Sequence, residues 1–228
     1  MISLGRLAAS VVHEINNPLA GVLNYARLML KIMKRGPLTG DYQEKFSSYL
    51  NLMENETNRC SQIVSNLLAF SRKSELEFVD VTINELVEKC LMLSGHKLRL
   101  SNISVEQTLQ EGLPTVRGDY NQIQQCIINL IFNSIDAMPE GGKLSVTTSY
   151  SPGDRSVLIR VIDTGCGISK EDLPHIFEPF FTTKSEGQGL GLGLSMVDGI
   201  VERHKGSIDV TSEVGKGATF TITLPAKK

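Results

Sequence analysis

The chain has 228 residues, 41% of them hydrophobic and 21% charged, with 23 basic against 25 acidic residues and a formal net charge of −2. This is an ordinary globular composition, apolar enough for a sizeable core, and it offers neither nucleic acid nor an acidic membrane a basic surface to bind. Four cysteines (Cys60, Cys90, Cys126 and Cys166) lie far apart with no CxxC pair, so disulfide and metal-ligand patterning are not expected and a reducing, cytoplasmic setting fits.

Helical periodicity is already running at Leu4, so the chain is expected to be a fragment of a longer protein. Leu4, Ala8, Val11, Ile15, Leu19, Val22, Ala26, Met29 and Met33 form one stripe at spacings of three and four, which predicts an amphipathic helix. "RGPLTGDY" (Arg35 to Tyr42) breaks it. Phe46, Leu50, Met53, Thr57, Cys60, Val64 and Leu67 then predict a second long helix, with Thr57 as its polar exception. Two long helices with a short connection make an antiparallel hairpin. The stripes could cover the rest of the same chain, but their length favours a second copy, hence a homodimeric four-helix bundle. No apolar run nears the roughly 18 residues of a membrane span, and no membrane contact by this segment is expected.

"SRKSELEF" (Ser71 to Phe78) is polar and ends the heptads. The predicted division is residues 1–73 as the hairpin, 74–78 as a linker and 79–228 as a second domain. There the runs "ISVEQTL", "KLSVTTSY", "SVLIRVID", "GSIDVTS" and "ATFTITL" read as strands. "INELVEKCLML", "DYNQIQQCIINLIFNSIDAM" and "GLSMVDGIVERH" read as helices. The fold class is α+β, with a mixed sheet and helices on one face.

Two places carry chemistry. On the first helix His13 lies about 200° from Val11 and Ile15, hence off the apolar stripe, among Arg6, Ser10, Asn17, Asn24, Arg27 and Lys31. A lone exposed histidine is usually only solvated. Here Glu14 can orient one ring nitrogen and leave the other free as a nucleophile, and Pro18 favours a bend just beyond.

In the second domain Asp119 reads as an N-cap with Gln122 three residues on. Asn129, Asn133 and Asp136 fall within about 60° of one another, away from an apolar face, and could cap neighbouring loops or wall a ligand. Amide oxygens suit Mg²⁺. "SVLIRVIDTGCGI" runs a buried strand into Asp163, a carboxylate able to accept from an exocyclic amine. Gly165 and Gly167 would let the backbone approach a flat ring. Gly187, Gly189, Gly191 and Gly193 lead into a helix, a phosphate cradle by chemistry that matches neither the P-loop nor the GxGxxG spacing.

Taken in order, "HEINNPL", "NLIFNSIDA", "DTGCGI", "IFEPFF" and "GQGLGLGL" resemble the H, N, G1, F and G2 boxes of bacterial sensor histidine kinases. The resemblance covers residues 4 to 225, and the H box looks most like the nitrogen-regulator subgroup. It implies a dimerisation and phosphoacceptor hairpin followed by a Bergerat-type ATP-binding domain shared with gyrase and chaperone ATPases. It implies His13 as phosphoacceptor, Glu14 as acid–base helper and Asn17 at the position associated with phosphatase activity. It places Asn129 and Asn133 at the phosphates and Mg²⁺, with Asn133 as the metal ligand, and has Asp163 read the adenine amine. Phe177, Phe180 and Phe181 would anchor a mobile lid, and Gly189, Gly191 and Gly193 would line the phosphates. Asp136, Gly165, Gly167, Ile168, Thr183, Lys184, Leu190 and Leu192 complete the implied nucleotide set. The implied cofactors are ATP and Mg²⁺, and the implied partner is a response-regulator receiver domain. "HKG" at His204 to Gly206, where the family more often has two glycines, is expected to matter little. The alternative is a nucleotide-gated clamp of the gyrase type that makes no phosphoprotein; the His-Glu pair argues against it.

Overall fold

The computed structural model describes residues 4–34, 40–71, 77–183 and 191–227, with the backbone alone at residues 4–11, 13–14, 40–41, 59, 62 and 65–71. Residues 1–73 belong to one compact unit, and residues 74–181 with 191–228 form the other.

The first unit is a helical hairpin of α1 (Leu4–Met33) and α2 (Gly40–Ser71). Helix α1 runs through Pro18, which is buried. Across the hairpin Tyr25 stacks on Tyr49 with centroids 5.8 Å apart, and the Cys60 thiol lies 3.9 Å from the Ile15 carbonyl oxygen. Thr57, the polar exception in the α2 stripe, donates its hydroxyl to Met53 O one turn back, so it is satisfied without a partner helix. Leu19, Leu23, Leu30, Leu50 and Val64 stay 42–56% exposed.

The second unit opens with β1 (Phe78–Val81) and α3 (Ile83–Leu100), then β2 (Ile103–Leu109) and β3 (Val116–Asp119), followed by α4 (Tyr120–Asp136). Strands β4 (Gly142–Ser151) and β5 (Ser156–Asp163), helix α5 (Gly193–Arg203), and strands β6 (Ser207–Glu213) and β7 (Gly217–Pro225) complete it. The main sheet has the order β2-β4-β5-β7-β6. It is mixed, because β2 runs parallel to β4 and the other pairs are antiparallel. Burial alternates along β5 from Val157 and along β7 from Ala218. Val157, Ile159 and Val161, with Phe220, Ile222 and Leu224, join α3, α4 and α5 in one core, while Arg160, Thr221 and Thr223 face the other way, only half-buried. A sheet covered on one face is what such alternation encodes.

β1 and β3 were not anticipated. They form a separate two-stranded sheet, so Phe78 is not linker but strand, paired with Asp119. Asp119 ends β3 and starts α4 by accepting from Gln122 N at 3.0 Å. The expected capping box is only half made, since Gln122 Oε1 is buried without a hydrogen-bond partner. Ile127, Leu130 and Ile131 are fully buried. Truncating one of them to alanine would cost about 2–5 kcal/mol, which fixes α4 on the sheet.

Candidate functional site

The end of β5 is the chemical centre of the second unit. Asp163 is 3% exposed. Its Oδ1 accepts from Gly165 N at 2.9 Å and Ala218 N at 3.2 Å. Its Oδ2 accepts the Ser134 hydroxyl at 3.3 Å and keeps lone-pair capacity for a second donor. Burial pushes the carboxyl above its usual range, against the opposing pull of Gly165, Ala218 and Ser134. Ser134 was not singled out from the sequence. Its signal was there: it lies seven residues after Ile127, a hydroxyl set in the apolar stripe of α4.

Gly165 and Gly167 were expected to admit a flat ligand, but their first constraint is internal. A Cβ on Gly165 would stand 2.6 Å from Ala137 O, and one on Gly167 2.2 Å from Glu213 O. The loop is folded against its own neighbours. Ile168 packs on the core and donates its amide to Ser212 Oγ at 2.9 Å.

Helix α4 supplies a second wall. Asn133 is half-buried, and a Cβ placed on Gly193 would lie 3.9 Å from its Nδ2 and 4.0 Å from its Oδ1. The carboxamide therefore faces the first turn of α5. Asn129 Nδ2 lies 3.9 Å from Met196 Sδ on the same helix. Asp136 parts from them. It is exposed and pairs with Lys97 of α3 at 3.5 Å, the lysine lying over the Phe132 ring.

Phe177 and Phe181 pack on the core, and Phe181 lies 5.8 Å from the His175 ring. Phe180 and Gly191 are both left-handed, at φ 70° and 62°, and are joined by Phe180 N donating to Gly191 O at 2.9 Å. A Cβ on Gly191 would meet Phe181 O at 2.4 Å, so glycine is required there. Leu192 is buried and caps α5, which begins at Gly193. Thr183 is exposed, and Lys184, Gly189 and Leu190 lie outside the described residues.

On α1 the backbone at His13 and Glu14 is helical, and their side chains lie outside the described residues. Asn17 is exposed, as are Asn24, Arg27 and Lys31 on the face expected to be polar. Among the described residues no group of three or more His, Cys, Asp or Glu could hold a metal, and no helix is long and apolar enough to cross a membrane.

Comparison with known proteins agrees with this geometry. The family model "His Kinase A (phospho-acceptor) domain" matches residues 3–76, and "Histidine kinase-, DNA gyrase B-, and HSP90-like ATPase" matches residues 118–228. Over 225 residues the chain is 37% identical to the sensor histidine kinase ZraS of Escherichia coli (strain K12), a match taking in 99% of this chain and 46% of ZraS. The chain thus spans about half the length of that relative. The catalytic domain of histidine kinase ThkA is 34% identical with a TM-score of 0.59, over 66% of this chain and 96% of that one. ThkA in complex with the response regulator TrrA is 29% identical with a TM-score of 0.77, over 98% and 62%. Full-length ShkA in complex with AMPPNP is 28% identical with a TM-score of 0.69, over 100% and 47%. With a phosphoacceptor hairpin, an ATPase-type sheet and relatives named for one activity, the chain belongs to the sensor histidine kinase family.

Proposed function

We propose that the chain is the catalytic core of a two-component sensor kinase, which moves the γ-phosphoryl group of ATP to His13 and then to an aspartate of a response regulator. Residues 1–73 act as the phosphoacceptor hairpin, 74–77 as the linker and 78–228, with Phe78 in β1, as the ATP-binding domain. The observation that carries this reading is the convergence in one unit of a carboxylate with a spare acceptor (Asp163) and an amide facing a glycine turn (Asn133 and Gly193). The AMPPNP held by ShkA and the regulator held by ThkA support the two substrates. ATP as donor makes the cytoplasm the working compartment.

The roles follow from the chemistry. Asp163 takes the adenine amine, beside Gly165, Gly167 and Ile168. Asn129, Asn133, Gly189, Gly191 and Gly193 hold the phosphates, with Asp136 at the rim. Phe177 and Phe181 anchor a lid, and Thr183, Lys184, Leu190 and Leu192 complete the nucleotide set. His13 attacks with a ring nitrogen. A nitrogen–phosphorus bond forms, the bond to the β–γ bridging oxygen breaks, and ADP leaves. Glu14 takes the hydrogen bond of the other ring nitrogen. Such transfer needs mainly position and charge neutralisation.

Mg²⁺ fits the donor set present. One amide oxygen, with no carboxylate cluster among the described residues, suits an ion that keeps its water and binds through substrate phosphates. Asn133 would hold it, and when bound it would neutralise phosphate charge. Replacing Asn133 with alanine is expected to remove the Mg²⁺-dependent part of ATP affinity, about tenfold or roughly 1.4 kcal/mol. Titrations with and without EDTA measure it, and equal affinity of wild type and variant in Mg²⁺ would remove Asn133 from the metal.

The half-exposed leucines of the hairpin, Leu19, Leu23, Leu30 and Leu50, support a homodimer through these helices. Asn17 lies about 40° from His13, one turn on, so its amide can hold a water against a phospho-aspartate docked there. Asn17→Ala is expected to keep autokinase activity and lose most phosphatase activity, while Glu14→Ala mainly impairs the kinase step. Dephosphorylation of the pre-phosphorylated regulator decides this, and a wild-type rate from Asn17→Ala would refute the role. The reading as a whole is tested by incubation with γ-labelled Mg-ATP. Acid-labile, base-stable label on the chain is expected; none, with ATP bound, would point to a clamp instead.

A further inference from the structure

His204 lies outside all five boxes, and "HKG" was expected to matter little. Its ring is nevertheless buried, 4% exposed, with both nitrogens engaged. Nδ1 lies 2.7 Å from Ile200 O, and Nε2 lies 2.9 Å from Asp119 N. A carbonyl only accepts and an amide N–H only donates, so Nδ1 carries the proton and Nε2 offers its lone pair.

Asp119 is the N-cap of α4, and its amide is the donor that a capping-box side chain at Gln122 would have satisfied. Gln122 Oε1 does not take it and is buried without a partner. The imidazole has replaced it. The seat is close-fitting. A Cβ on Gly118 would meet His204 Cδ2 at 2.7 Å, and the Phe78 ring covers the imidazole at 5.2 Å.

We infer that His204 is a positioning residue for the phosphate site, pinning the N-terminus of α4 to the C-terminal turn of α5 and so setting the gap between Asn133 and Gly193. The inference rests on the proposed nucleotide reading. Asn133 lies at the far end of α4 from Asp119, and Gly193 at the far end of α5 from His204. The two helices touch at Asn129 and Met196 and at Asn133 and Gly193. A helix transmits a slip at one end to the other, and misplacement of about 1 Å can cost 10²-fold in activity. Without the Nε2 acceptor the Asp119 amide is buried and unpaired, and α4 is free to shift to satisfy it.

The test measures AMPPNP affinity on the full chain in Mg²⁺, below every melting temperature. His204→Gln places an amide oxygen where Nε2 was and is expected to bind within about twofold of wild type. His204→Asn reaches only the Nδ1 position, and His204→Leu offers no acceptor; each is expected to weaken binding by roughly tenfold. Ile103→Ala, a core truncation on edge strand β2, controls for lost stability and should melt lower with affinity unchanged. Wild-type affinity in His204→Leu, or a loss no greater than in the Ile103→Ala control, would overturn the inference. Should His204→Leu not fold, equal affinity of the Gln and Asn variants would do the same. A wild-type chain that binds no nucleotide would fail the proposed function itself and take this inference with it.

Discussion

Replacing His13 with glutamine is expected to abolish transfer of label from γ-labelled Mg-ATP to the chain while leaving ATP affinity within about twofold of wild type. A glutamine amide nitrogen has its lone pair delocalised into the carbonyl and cannot attack phosphorus, so the loss should be complete rather than partial. The nucleotide groups Asn133, Asp163 and Gly193 all lie in the second compact unit, and His13 lies in the first. The substitution therefore removes the acceptor without touching the donor site. Glutamine also keeps the helix, since its propensity is close to the best. The check has two parts: acid–base lability of label bound to the chain, and nucleotide titration of the same preparation. Stable labelling of the variant would place the acceptor elsewhere. A variant that loses nucleotide binding would show that His13 does more than receive the phosphoryl group.

Most of this arrangement was legible in the sequence where period carries the signal. The two hairpin stripes at spacings of three and four gave α1 and α2, and five runs with alternation or β-branched content gave the five strands of the main sheet. The small sheet was not legible. "FVDV" and "VRGD" are four residues each, too short to alternate convincingly, and each exists as a strand only through the other. The seat of His204 was not legible for a related reason. Its partner is the amide of Asp119, 85 residues away, and a turn motif says nothing about a distant amide. Asp163 was readable because it ends an apolar strand, where a charge needs an explanation. The demand for glycine at Gly165 and Gly167 was readable as a motif but not as physics, since the groups that impose it are Ala137 O and Glu213 O.

Asp163 should make the site choose ATP over GTP by roughly 10- to 100-fold, and Asp163→Asn should collapse that preference. Oδ1 is saturated by Gly165 N and Ala218 N, and Oδ2 has only the Ser134 hydroxyl at 3.3 Å. The spare lone pair accepts from the adenine amine. Guanine presents a carbonyl at that place, so two acceptors would face each other unpaired, at a cost of about 1–3 kcal/mol. In the variant the amide oxygen must stay with the two backbone donors. The amide nitrogen then turns to Ser134 and the base, where it opposes an amine and can donate to a carbonyl. The fold should survive, because the serine hydroxyl can rotate to accept. Stability supplies an independent check. Burial raises the carboxyl of Asp163, so the folded state holds that proton more tightly than the unfolded chain. Its contribution to stability is full below the ordinary carboxylate value of 3.8 and is lost as pH rises through the raised one. Asparagine has no charge to bury. Nucleotide-free Asp163→Asn should therefore gain stability relative to wild type as pH rises from about 4 to 7.5. Competition binding of ATP and GTP reads the first effect, and thermal melts at both pH values read the second. Equal binding of the two nucleotides by wild type would show that Asp163 does not read the base, and a variant that loses ground to wild type as pH rises would show that its charge is not buried at a cost.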